Sequence, residues 1–104
     1  MITIALVDDE ISIRTSVSLA LESEGFKVDV FQNGIEALEA LESKTYDLGL
    51  FDIKMPKMDG NELLEKVRSS KKIDLKEMPI IFLTSKDQEQ DEIIGLRMGA
   101  ADYI

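Results

Sequence analysis

The sequence contains no cysteine and no histidine. The first absence removes disulfides, thiolate metal sites and cysteine nucleophiles. The second removes imidazole bases and the commonest zinc ligand. No apolar run approaches the roughly 20 residues needed to span a bilayer. The first apolar run, Ile2–Val7, has no basic stretch before it and meets Asp8-Asp9 at once, unlike a signal peptide. A cytoplasmic protein without a membrane role is therefore expected. Basic residues are also scarce. Twelve Lys and Arg stand against 21 Asp and Glu, a formal charge of −9. Attraction to phosphates dominates nucleic-acid affinity, so direct nucleic-acid binding by this domain is not expected. Chemistry must rest on carboxylates, hydroxyls, lysines and backbone.

What remains is a globular balance, 44% hydrophobic and 32% charged in 104 residues, which excludes wholesale disorder and suits one domain over 1–104. Short apolar runs alternate with longer amphipathic ones. Strands are expected at Ile2–Val7, at Val28–Phe31 with Asp29 outward, at Leu48–Phe51, at Pro79–Leu83 and from Ala101 to Ile104. Their continuous apolar character suggests burial on both faces, as in a parallel sheet covered by helices.

The intervening segments have helical spacing. Ile13, Val17, Ala20 and Leu21 form one stripe, and Gly25 ends that helix. Asn33-Gly34-Ile35-Glu36 reads as a capping box before Leu38 and Leu41. Asp59-Gly60-Asn61-Glu62 repeats the pattern before Leu63, Leu64 and Val67, and Ser85-Lys86-Asp87-Gln88 repeats it before Ile93, Ile94 and Met98. The polar stretch Ser69–Glu77 reads as a plain surface connection. Alternation of strand and helix argues for a doubly wound α/β domain.

In open sheets of this kind ligands bind at the carboxyl ends of the strands. Asp8-Asp9 follow the first strand, Gln32 the second, Asp52 ends the third, and Thr84-Ser85 follow the fourth. Three carboxylates on one edge repel one another unless a cation lies between them. Hard cations take oxygen ligands, and Mg²⁺ keeps several waters and often meets phosphate. A carboxylate beside Mg²⁺ can also act as a phosphoryl acceptor. Two uses fit Asp8 and Asp9, capping of the following helix and cation binding. Capping suits Ser85 and Asp59. Asp52 has no helix to cap, because none begins before Asp59. Met55 and Met58 read as loop-packing side chains.

Taken together these residues resemble the receiver domain of two-component response regulators. The acidic pair is Asp8-Asp9 within Leu6-Val7-Asp8-Asp9-Glu10, and the acceptor is Asp52 within Phe51-Asp52-Ile53-Lys54-Met55-Pro56-Lys57-Met58-Asp59-Gly60. The hydroxyl is Thr84, and Tyr103 matches the aromatic position of the last strand. The resemblance spans the chain. It implies a flavodoxin-like five-stranded parallel sheet in the order 2-1-3-4-5. It implies that Asp52 takes a phosphoryl group from a sensor histidine kinase or from a small donor such as acetyl phosphate. Asp9 and Asp52 would bind Mg²⁺ with the backbone carbonyl of Lys54, and Asp8 would assist. Thr84 would bond the phosphoryl oxygen and Tyr103 would switch inward, so that the chain catalyses its own phosphorylation and dephosphorylation. The output surface would be the helix over Glu89–Met98 and the last strand, acting on a C-terminal effector absent from this chain, of DNA-binding transcription-regulator type.

One departure stands beside the match. The family's lysine is due about two residues beyond Ile104, and its last helix follows that. A receiver incomplete at its C-terminus is therefore expected, with impaired phosphorylation and with its last face dynamic or homodimeric. A receiver-like module that docks a partner without phosphorylation is the alternative. A dehalogenase-type phosphatase fits less well, because position 54 is Lys where that family wants a second Asp. A flavin carrier fits less well because Asp8-Asp9-Glu10 would repel phosphate.

Overall fold

A computed structural model describes residues 1–83 and the backbone pairing of residues 102–103. The elements are β1 (Thr3–Val7), α1 (Ile11–Ser23), β2 (Lys27–Phe31), α2 (Gly34–Ser43), β3 (Leu48–Asp52), α3 (Gly60–Arg68), α4 (Ile73–Lys76), β4 (Ile80–Leu83) and β5 (Asp102–Tyr103). The strands form one sheet in the order β2-β1-β3-β4-β5, and every pairing is parallel. This is the flavodoxin-like order expected. The predicted helix over Glu89–Met98, with its cap at Ser85 and its stop at Gly99, lies outside the described residues.

Side chains alternate across the sheet, so consecutive residues of β1 serve opposite faces. Ala5 and Val7 join Phe51, Ile80 and Phe82 under α2 and α3, where Ala37, Leu41, Leu63, Leu64 and Val67 are buried. Ile4, Leu6 and Leu50 face the other way, toward Val17 and Leu21 of α1 and Phe26. β1 and β3 therefore obey the two-sided burial expected of them. β2 does not: none of its residues is fully buried and Val30 is 45% exposed, because β2 is an edge strand.

The helix punctuation follows the sequence closely. Gly25 has φ +94, a left-handed conformation that glycine adopts without steric cost. Its N–H donates to Glu22 O at 3.0 Å, and the Phe26 N–H reaches back to Leu21 O at 3.2 Å. That pair of bonds is a Schellman stop, with Leu21 and Phe26 packed on the same cluster. Asn33 and Asp59 cap α2 and α3 by accepting the N–H groups of Glu36 and Glu62, at 2.9 and 2.8 Å. Glu36 does not close the box on the Asn33 backbone. Its carboxylate instead accepts from the side-chain amides of Gln32 and Asn33.

Three further expectations need correction. The stripe of α1 is narrower than its spacing implied, since Ile13 and Ala20 are exposed and no residue of α1 is fully buried. Neither Asp8 nor Asp9 caps α1; Glu10 occupies the N-cap position without a side-chain bond. The stretch Ser69–Glu77 is not a plain surface connection. It contains α4, whose Leu75 is buried. Lys72 Nζ donates to Leu41 O and Lys44 O at the end of α2, and Arg68 Nη1 donates to Lys76 O and Met78 O. Two basic side chains thus satisfy backbone carbonyls that a helix end and a turn leave open. One buried leucine among polar residues is too sparse a pattern to announce a helix.

Candidate functional site

Register brings the acidic residues together. Val7 of β1 lies beside Phe51 of β3, so the residues that follow, Asp8 and Asp52, emerge next to each other at the carboxyl edge. The Asp8 N–H donates to Phe31 O at 3.1 Å and extends the ladder by one residue. The Asp8 carboxylate turns back to accept the Glu10 N–H at 2.8 Å, and the Asp8 carbonyl accepts from Arg14 Nη1, also at 2.8 Å. Asp8 is buried, Asp52 half-buried and Asp9 exposed. One carboxylate oxygen from each of the three lies within 4.8 Å of the others.

This crowding has an electrostatic cost. Burial raises the Asp8 carboxyl above the ordinary carboxylate range, and the Asp9 and Glu10 charges add to that, against the Glu10 N–H and Arg14. Asp52 is pushed up to about 7, first by burial, then by the charge of Asp8 and by the adjoining Asp9 side chain. The Lys54 N–H bonds the Asp52 carboxylate and pulls the other way, without offsetting the rest.

The loop after Asp52 folds inward. Ile53, Met55 and Met58 belong to the core, as expected for loop-packing methionines. Lys57 has φ +71, and the Met58 N–H donates to Pro56 O at 2.8 Å, the pattern of a tight γ-turn. Gly60 opens α3 directly against β3. Its N–H donates to Ile53 O at 2.7 Å, and a Cβ there would lie 2.4 Å from Asp52 O and 2.9 Å from Ile53 Cα. Only glycine lets the start of α3 approach the end of β3 this closely.

A cleft of about 300 Å³ opens at this edge, lined by Asp9, Gln32, Asn33, Pro56 and Lys57. A larger one, about 490 Å³, lies between α2 and α3 along Leu38, Glu42, Glu62 and Lys66. It contains none of the converging acids, so the smaller cleft is the one that serves them.

An all-oxygen donor set suits a hard divalent cation, which would relieve the repulsion that adds to burial in raising the Asp52 carboxyl. The residues present therefore fit Mg²⁺. Asp8, Asp9 and Asp52 are brought together as the sequence suggested. Thr84 and the Tyr103 side chain lie outside the described residues, although the Tyr103 backbone pairs with Phe82. Sequence reasoning missed the contact of Arg14 with Asp8. Its only signal was spacing, since Arg14 sits one helical turn beyond Glu10. It also missed Lys57 and Pro56 as cleft walls, which no local pattern announces.

Comparison with known proteins agrees with this geometry. The family model described as response regulator receiver domain matches residues 4–104. The alkaline phosphatase synthesis transcriptional regulatory protein PhoP of Bacillus subtilis (strain 168) is 41% identical over 101 residues, which cover 97% of this chain and 40% of that protein. The transcriptional regulatory protein CpxR homolog of Haemophilus influenzae is 38% identical over 104 residues, covering 100% of this chain and 43% of that protein. The chain thus spans about two-fifths of the length of these relatives. Among solved structures, the chemotaxis response regulator CheY4 of Vibrio cholerae superposes with a TM-score of 0.90 at 33% identity, covering 99% of this chain and 84% of that one. Response regulator protein TrrA of Thermotoga maritima, in complex with Mg²⁺–BeF, gives 0.85 at 35% identity, covering 100% and 85%. Parallel sheet, acidic edge and these matches converge, and the chain belongs to the response regulator receiver domain family of two-component systems.

Proposed function

We propose that this domain accepts a phosphoryl group on Asp52 in a Mg²⁺-dependent reaction and relays that change to an effector. The observation that carries the reading is the convergence of Asp8, Asp9 and Asp52 within 4.8 Å at the carboxyl edge, where the Asp52 carboxyl is pushed up to about 7. Asp8, Asp9, Asp52 and the Lys54 main-chain carbonyl would hold the ion. When bound, Mg²⁺ neutralises charge on the carboxylates and on the phosphoryl oxygens of the donor.

An Asp52 carboxylate oxygen attacks phosphorus in line. The new O–P bond forms as the bond from phosphorus to the donor breaks, and the electron pair leaves with the donor. The donor is the phosphohistidine of a sensor histidine kinase, or a small acyl phosphate such as acetyl phosphate. Water attacking the same phosphorus returns Asp52 to a carboxylate. The cleft beside Asp9 admits the donor. Thr84 donates to a phosphoryl oxygen, and Tyr103 turns inward behind it. The phosphoryl group adds about −1.5 to −2 charges, which favours whichever conformation brings donors closer. The face over Glu89–Met98 and β5 reads that shift out, to a second copy or to an effector. The relatives named above are transcriptional regulatory proteins, so a DNA-binding effector in a cytoplasmic regulator is the matching output.

Incubation with acetyl phosphate and Mg²⁺, followed by intact mass, tests the reading. Slow, partial addition of one phosphoryl group is expected, lost without Mg²⁺ and in Asp52→Asn. A receiver-like docking module without phosphorylation would show no addition under any condition.

A further inference from the structure

We propose that Arg14 is a positioning residue for the acidic site, holding the Asp8–Asp9 peptide in the orientation that aims Asp9 at Asp52. The inference rests on the phosphoacceptor reading and extends it to a residue that touches none of the reacting atoms. Asp8 is fixed at three points. Its N–H bonds Phe31 O, its carboxylate bonds the Glu10 N–H, and its carbonyl bonds Arg14 Nη1. The first two hold the Asp8 backbone and side chain. The third acts on the next unit, because the Asp8 carbonyl and the Asp9 nitrogen share one rigid peptide plane. Turning that plane swings the Asp9 Cα and moves its carboxylate.

Among the described residues, Arg14 is the side chain that holds that carbonyl. Glu10 offers α1 no side-chain cap, so the junction of β1 and α1 depends on Asp8 and on the Arg14 strut. Arg14 is itself half-buried, and its backbone N–H makes the first bond of α1, to Glu10 O at 3.1 Å. The strut therefore runs from a regular helix to the site. A guanidinium stays charged at any accessible pH and makes a charge-assisted bond to a carbonyl.

The test uses Arg14→Met, which keeps the apolar stem and removes the donors, and Arg14→Lys, which restores a charged donor. Mg²⁺ binding is read by calorimetry with the metal alone. Acetyl phosphate turnover is read at saturating Mg²⁺, and the Glu10 amide is read by hydrogen exchange in metal-free protein. Loss of a group supporting metal ligands typically weakens metal binding by about 10- to 100-fold. For Arg14→Met we expect about tenfold weaker Mg²⁺ binding, faster Glu10 exchange, and a rate at saturating Mg²⁺ within about twofold of the parent. Arg14→Lys should recover most of the affinity. Mg²⁺ affinity unchanged in Arg14→Met beside an active parent overturns the positioning role alone. A fall in affinity that Arg14→Lys does not recover also overturns it. A parent that neither binds Mg²⁺ nor takes a phosphoryl group overturns the underlying reading, and this role with it.

Discussion

On one face of the sheet, α2 and α3 cover Ala5, Val7, Phe51, Ile80 and Phe82 with side chains that are themselves fully buried, and the loop after Asp52 adds Ile53, Met55 and Met58. On the other, only Ile4, Leu6 and Leu50 are fully buried among the described residues, and α1 meets them through the half-buried Val17 and Leu21. Among the described residues the two faces share strands but not depth. β3 and its loop are set by the deep face, because Phe51 precedes Asp52 and Gly60 docks α3 against it. The Asp8–Asp9 turn is tied to the shallow face, through α1 and Arg14. Among the described residues the site thus joins a deeply packed half, which carries Asp52, to a lightly packed half, which carries Asp8 and Asp9.

The largest effect should come from cutting the deep face. Leu64→Ala removes a fully buried side chain and should cost about 3 kcal/mol. Val17→Ala on the shallow face should cost under about 1.5 kcal/mol. Denaturant midpoints at equal slope make the comparison. Equal losses would dissolve the contrast between the faces.

Gly60→Ala should follow at about 2 kcal/mol, since its Cβ meets the β3 backbone rather than a flexible side chain. It should also slow phosphorylation by acetyl phosphate, because any relief moves α3 or the Asp52 backbone. Unchanged kinetics with lost stability would place the close approach in the fold alone.

Asp52→Asn should act in the opposite direction. The folded carboxyl is raised to about 7 from 3.8. Between those values the folded protein keeps a proton that the unfolded chain has lost, so metal-free stability falls as pH rises from about 4 to about 7, and the cost is complete above that. Asparagine carries no such cost. At pH 8 the variant should be more stable by about 1 kcal/mol, a midpoint roughly 4–8 °C higher, with the discount that a half-buried, water-accessible group requires. The advantage should shrink toward pH 4, and with Mg²⁺ present. Thermal melts across pH check it.

The smallest expected effect lies at the β2 edge. Tyr46 Oη and Lys44 Nζ both donate to Asp29, at 2.7 and 2.9 Å, and together hold its carboxyl below its ordinary value. That support is present above about pH 4 and is lost as pH falls through the lowered value. Tyr46→Phe should cost about 0.5 kcal/mol near neutrality and less in acid. Phenylalanine keeps the edge-on contact with Phe31, so a loss that stays constant with pH would show that the hydroxyl's contribution does not depend on the Asp29 charge.

Much of this architecture is legible in the amino-acid sequence. Apolar runs mark the five strands, Gly25 marks the end of α1, and Asn33 and Asp59 mark the starts of α2 and α3. Each is a local signal with a local cause. The acidic edge is legible for a different reason, because a parallel sheet delivers every strand end to one side. The misreadings share one feature: they depend on neighbours distant in sequence. Capping is available to Asp8 by position, yet its carboxylate folds onto Glu10 while its carbonyl takes the Arg14 bond. Val28, Val30 and Phe31 read as a strand buried on both faces, yet the place of β2 at the edge leaves Val30 exposed. Ser69–Glu77 looks solvated, yet Leu75 finds the core while Lys72 and Arg68 bond carbonyls of other segments.

The central claim is that Asp52 alone receives the phosphoryl group. An aspartyl phosphate is an acyl phosphate, and borohydride reduces it to homoserine. The chain should be treated with acetyl phosphate and Mg²⁺, reduced, digested and mapped by mass. The account predicts homoserine at position 52 and nowhere else. Homoserine at Asp8, Asp9 or another acid, or none in a chain that binds Mg²⁺, would contradict it.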